Sequence, residues 1–127
     1  MIRRLFVILS ALIAGQVIAT DPGSATMRSL DFKVFLNDRE VGQHRFELLE
    51  QGESIEVSST MSLDFKIFKI KSIKYRHQAN EIWQSGCLVA LQSETEKQGE
   101  AFSINAISDD TGLVVQRPKE SETIAGC

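Results

Sequence analysis

The chain has 127 residues, 14 Lys and Arg against 17 Asp and Glu, a formal charge of −3 and two cysteines. That length has room for one domain and no more. A mildly acidic chain lacks the clustered basic charge that displaces counterions from phosphates, which argues against a nucleic-acid binder. Two cysteines with neither CxxC nor cysteine–histidine spacing give no support to a structural zinc site.

The chain opens MIRRLFVILSALIAGQVIATDPGS, with Arg3 and Arg4 ahead of an apolar run from Leu5 to Ala14 and with Val17 and Ala19 at the −3 and −1 positions of a cut after Ala19. This is the pattern of a helical secretory signal peptide over residues 1–19. The run is short against the roughly 20 residues of a bilayer span, and no cysteine follows the cut to take a lipid. The expectation is an exported, periplasmic protein that is not integral to the membrane after cleavage. Loss of the two arginines makes it more acidic by two charges. Residues 20–28 read as a short polar lead and residues 29–127 as a single β domain.

Within that domain LDFKVFL sets Leu30, Phe32, Val34 and Leu36 on one face, NDRE turns, and VGQHRFELL answers with Gly42, His44, Phe46 and Leu48. EQGE turns again. IEVSSTMSLDFKI, residues 55–67, alternates apolar and polar throughout except at Ser59. IKYRHQANEIW then alternates Ile73, Tyr75, His77, Ala79, Glu81 and Trp83 against a polar opposite face. QSG leads into CLVALQSET, KQGE into AFSINAIS and DDTG into LVVQR. The lysines of KIFKIKSIKYR read as the solvated face of strands. Period-2 alternation with β-branched and aromatic residues in the runs is the strand signature, and no helical period follows the signal peptide.

These spacings predict an all-β antiparallel meander of long curled strands, a half-barrel or open barrel, from about residue 29 to 117. The strand over 55–67, roughly 40 Å at about 3.3 Å per residue, should be the longest. Closing the second hairpin at Gln51-Gly52 sets Phe46 opposite Val57 and His44 opposite Ser59. A five-residue loop at 68–72 sets Phe65 opposite Tyr75 and Ser59 opposite Glu81. A three-residue loop at Gln84–Gly86 sets Trp83 opposite Cys87 and Ala79 opposite Leu91. The first hairpin needs either a three-residue loop at Asn37–Arg39 or a bulge at Gly42.

In that register His44, Ser59 and Glu81 form a polar row across the concave apolar face, with His77 one step along. A Ser/His/Glu set invites comparison with a hydrolase triad. Yet Ser59 sits in mid-strand without a Gly-x-Ser-x-Gly elbow or oxyanion donors, so mutual hydrogen bonding is the reading preferred to catalysis. Glu81 is then expected to contact Ser59, His44 or His77, or to lie near water. No ligand pair is close along the chain, so no metal site is assigned. Phe65, Tyr75 and Trp83 share the face with the row, either as core or as the lining of an apolar ligand cavity. Two cysteines in an oxidising compartment often pair, and a Cys87–Cys127 disulfide is expected.

The stretches LDFKVFLNDREVGQHRFEL and YRHQANEIWQSGCLVALQSET resemble an uncharacterised family of exported Gram-negative bacterial proteins classed as a domain of unknown function. The matching positions are Val34, Leu36, Val41, Gly42, His44 and Phe46, then Tyr75, His77, Glu81, Trp83, Gly86, Cys87 and Leu88. The resemblance implies a β-rich periplasmic protein without known activity. Members continue past a second Gly-Cys with further strands, so it also implies that a chain stopping at Gly126-Cys127 is truncated. A looser likeness is to periplasmic half-barrels that carry lipoproteins or lipids.

The functional expectation is a non-enzymatic binding protein without cofactor, holding a lipid-like ligand or an envelope protein on its apolar concave face. The alternatives are a plain structural or interaction domain of the envelope and, behind it, a hydrolase using His44, Ser59 and Glu81.

Overall fold

The computed structural model describes residues 23–127. The expected signal peptide with its helix, and the start of the polar lead, lie outside the described residues. Eight strands follow one another, each paired antiparallel with the next, in one sheet of order β1 to β8. They are β1 (Thr26–Leu36), β2 (Arg39–Gln51), β3 (Ser54–Ile67), β4 (Lys71–Gln84), β5 (Cys87–Lys97), β6 (Glu100–Asp109), β7 (Gly112–Arg117) and β8 (Glu120–Ile124). The sheet is open: β1 and β8 each pair on one side only. Among the described residues there is no helix, and hence none long and apolar enough to cross a membrane.

The meander runs wider than the alternation suggests, from Thr26 to Ile124. Its longest members are β3 and β4, each of 14 residues. β8 has five residues, all exposed, so neither face carries the apolar alternation that marks a strand in a sequence.

Turn chemistry sets the register, and it corrects the expected pairings of three hairpins. The second hairpin closes at Gly52-Glu53, with Gly52 at φ 60 in the first central position. A glycine there suits the type II′ turn, whose twist matches the flanking strands. Moving the turn by one residue slides the ladder by two: Phe46 meets Ser59, His44 meets Met61 and Leu48 meets Val57. The β3–β4 loop is Phe68 to Ile70, closed by the Ile70 N–H donating to the Ile67 carbonyl at 3.1 Å. Phe65 therefore faces Ile73, and Ser59 faces Ala79. Ser85-Gly86, both with positive φ, makes a two-residue turn that pairs Gln84 with Cys87. A shift beyond it sets Trp83 against Leu88 and Ala79 against Ser93. Except between Trp83 and the start of β5, each slip is even, so the face of every side chain on β2, β3 and β4 is preserved. Cys87 is the exception: opposite Gln84, it lies on the face away from Trp83.

At the first hairpin Asn37 and Asp38 both have positive φ (48° and 60°) in a two-residue turn. The register then shifts, since Val34 pairs with Gly42 but Phe35 with Glu40. The extra residue is Val41, so the bulge at Gly42 is the alternative the chain takes.

After β8 the tail runs on past the start of β7, where a Cβ on Gly126 would lie 3.4 Å from the Gly112 Cα. Cys127 ends bonded to Cys87, with 5.8 Å between Cα atoms across a sequence separation of 40. The tail thus straps the β6–β7 hairpin to β5. At that hairpin the Thr111 hydroxyl donates to Asp109 Oδ1 at 2.6 Å and the Thr111 N–H donates at 2.7 Å. Both bonds favour the charged carboxylate, and the Asp109 pKa is lowered, first by the hydroxyl and then by the amide. A group with a lowered folded value stabilises above its unfolded pKa and loses that effect as pH falls through the folded one. Below about pH 4, the ordinary range of an aspartate, the protection of the Thr111 amide relative to its intrinsic exchange rate should fall before that of amides in β3. Equal protection at pH 3 and pH 6 would contradict this.

Candidate functional site

One face of the sheet gathers the large apolar side chains and the other is mostly polar. Register pairs place the residues in rows across the strands, because directly opposed side chains share a face. The first row reads Phe32, His44, Met61, His77, Thr95, Phe102. The next reads Leu30, Phe46, Ser59, Ala79, Ser93, Ile104. The third runs Leu48, Val57, Glu81, Leu91, Ala106, Val115.

The burial of this face is unusual. The buried residues are small: Val41, Ser59, Ala79, Ser93, Ala106 and Val115, and no large side chain is fully buried. Large neighbours lean over the small ones but nothing among the described residues covers the large ones in turn. Phe32 is 52% exposed and Phe102 51%. A sheet normally buries its apolar face under a second layer, and the described residues supply no such layer.

The expected polar row is not assembled. Ser59 stands between Phe46 and Ala79, His44 and His77 flank Met61, and Glu81 lies between Val57 and Leu91. All four occupy the same face, on three different rows. The half-buried Glu81 carboxylate accepts the Trp83 indole N–H at 2.8 Å; of the two expected placements, contact with Ser59, His44 or His77 is not the one taken, and the group keeps part of its surface open to water. The Nδ1 of His77 is 2.8 Å from Thr95 Oγ1, and its ring stacks at 18° on Tyr75 with centroids 6.4 Å apart. His44 packs on Phe46 at 4.1 Å, and Phe46 meets Phe32 edge-on at 6.0 Å. His44 Nε2 is buried with no partner. Phe65 is half-buried opposite Ile73. Among the described residues no three His, Cys, Asp or Glu side chains gather to hold a metal ion.

The opposite face carries a feature that no single strand reveals. Asn80, Gln92, Asn105 and Gln116 stand in register on β4 to β7, and Ser58 Oγ donates to Asn80 Oδ1 at 2.8 Å. Beside this carboxamide row Ile82, Ala90, Ile107 and Val114 form an apolar one. Each strand contributes one residue to each row, so the signal is legible only once the register is known.

An open antiparallel meander with one uncovered apolar face defines a single-sheet, all-β protein. Residues 32–127 match the model of a domain of unknown function, DUF6134, and the chain belongs to that family. No curated protein and no solved structure matches it.

Proposed function

We propose that the protein is an exported, periplasmic, non-enzymatic binding protein whose apolar face holds a lipid-like ligand. The observation that carries this reading is that no second layer among the described residues covers Phe32, Phe46, Val57, Met61, Leu91 and Phe102. Removing apolar surface from water is worth about 25 cal/mol per Å², so a face of this composition gains by taking an apolar occupant. The unpartnered Nε2 of His44 beside that surface suits an amphipathic occupant with a polar head. Export is supported by the N-terminal pattern and by the Cys87–Cys127 bond, since disulfides persist in oxidising compartments. Catalysis is disfavoured because Ser59 opposes Phe46 and Ala79, neither of which can act as a base.

The test is native mass spectrometry of the exported protein, followed by titration with a fluorescent fatty acid read through Trp83. A co-purifying acyl chain, or saturable binding, is expected. Met61→Asp, which places a charge mid-row between His44 and His77, should weaken binding at least tenfold, or about 1.4 kcal/mol. A clean apo protein that binds no fatty acid would favour the structural or interaction domain instead. Turnover of an ester lost with Ser59→Ala would restore the hydrolase.

A further inference from the structure

The two edges of the sheet are built differently. β8 is short, and its Glu120 and Glu122 are tied to Arg117 of β7 at 3.2 and 2.6 Å. A brief, acidic strand resists further pairing. β1 has 11 residues, no proline and no glycine, and its extra-residue partner, Val41, belongs to β2. Among the described residues nothing pairs with the N–H and C=O groups that every second residue of β1 points away from β2. Along it Leu30, Phe32, Phe35 and Leu36 are 46–57% exposed. A long, regular, apolar edge is a template for pairing with another strand.

We propose that β1 is the seam of a homodimer, pairing antiparallel with β1 of a second copy about a two-fold axis at Phe32. Charge selects this register. An antiparallel pairing that keeps both apolar faces on one side is restricted to slides of two residues. Centred on Phe32, Asp31 meets Lys33 of the second copy, and Lys33 meets Asp31 of the second copy. Leu30 meets Val34 in both directions, and residues 28–36 of each strand overlap. A slide of two either way sets Asp31 against Asp31 or Lys33 against Lys33, which is repulsive. The existing ion pairs extend across the seam, since Arg45 already bonds Asp31 at 2.6 Å and Glu40 bonds Lys33 at 2.9 Å. The interface is isologous, as a two-fold dimer requires, and it joins the two apolar faces into one surface.

Sedimentation velocity and light scattering of the oxidised protein test it. The wild type should run at twice the chain mass. Lys33→Glu turns two opposite-charge pairs into two like-charge pairs and should weaken the dimer roughly 30-fold, with an unchanged far-ultraviolet spectrum. The double swap Asp31→Lys with Lys33→Asp, made together with Arg45→Glu and Glu40→Lys so that the ion pairs within each chain are kept, restores both pairs across the seam and should restore the dimer. A monomeric wild type overturns the proposal. So does a dimer indifferent to Lys33→Glu, or a double swap that stays monomeric. A dimer broken by Met61→Asp but untouched by Lys33→Glu would place the contact on the apolar face and equally exclude the β1 seam.

Discussion

Replacing Cys87 and Cys127 together by serine should lower stability by about 2–4 kcal/mol, read from the urea midpoint of the oxidised and doubly substituted proteins. The bond spans a separation of 40 residues, and the polymer estimate for restricting an unfolded loop of that size is about 4 kcal/mol. The lower bound allows for the tail, which lies beyond the last ladder pair of β8 and orders few residues by itself. Locally the effect should be larger than the global figure suggests. β8 is wholly exposed and pairs only with β7, so the strap is its main anchor besides five ladder positions. Amides of Thr123 and Ile124 should then exchange fastest in the variant. A midpoint shift below about 0.5 kcal/mol, with those amides still protected, would mean that the ladder alone holds the edge. Two titratable thiols in the unreduced protein would mean that the bond does not form.

The face of each long strand was legible because a side-chain period of two survives any even slip of register. Phe46, Val57, Phe65, Tyr75 and Trp83 do share one face of the sheet. The rows across that face were not legible, because rows depend on which turn residue sits first. A left-handed Gly52 serves a turn at 51–52 or at 52–53, and the choice moves Ser59 from opposite His44 to opposite Phe46. Two loops with such a choice, β2–β3 and β3–β4, were enough to scatter the expected row of His44, Ser59 and Glu81. β8 leaves no signature in the sequence for another reason: ESETI has no apolar face, and Arg117 with the Pro118-Lys119 turn brings it into the sheet.

The apolar face itself was readable, but its exposure was not. Periodicity tells which side chains gather, whereas the absence of a layer above them is a property of the whole fold. The carboxamide row of Asn80, Gln92, Asn105 and Gln116 shows the same limit from the other face. Each residue alone is an ordinary solvated strand position, and only the pairings of β4 to β7 align them.

Gly42→Ala should cost about 2–3 kcal/mol, far more than a methyl group usually costs on a half-exposed strand. Gly42 sits beside the Val41 bulge, between Val34 of β1 and Leu63 of β3. A Cβ there would run into the Ser62 carbonyl oxygen and stand 2.9 Å from the Leu63 Cα, with Leu63 Cδ2 at 2.8 Å. Two of these three obstacles are backbone, and β3 is held on its far side by a full ladder to β4. The chain has two ways to respond. If β2 stays in place, the overpacking costs about 1–3 kcal/mol, toward the upper end because backbone yields least. If the last β2–β3 pair opens instead, Val41, only 7% exposed, loses its cover, and re-exposing a valine costs about 1.5–3 kcal/mol. Both routes arrive at the same range, so the prediction does not depend on which is taken. Gly23→Ala is the control, since a Cβ there meets nothing within 4 Å, and its midpoint should match the wild type. Equal midpoints for both variants would show that β2 does not approach β3 this closely, and the bulge would then have no steric reason for its glycine.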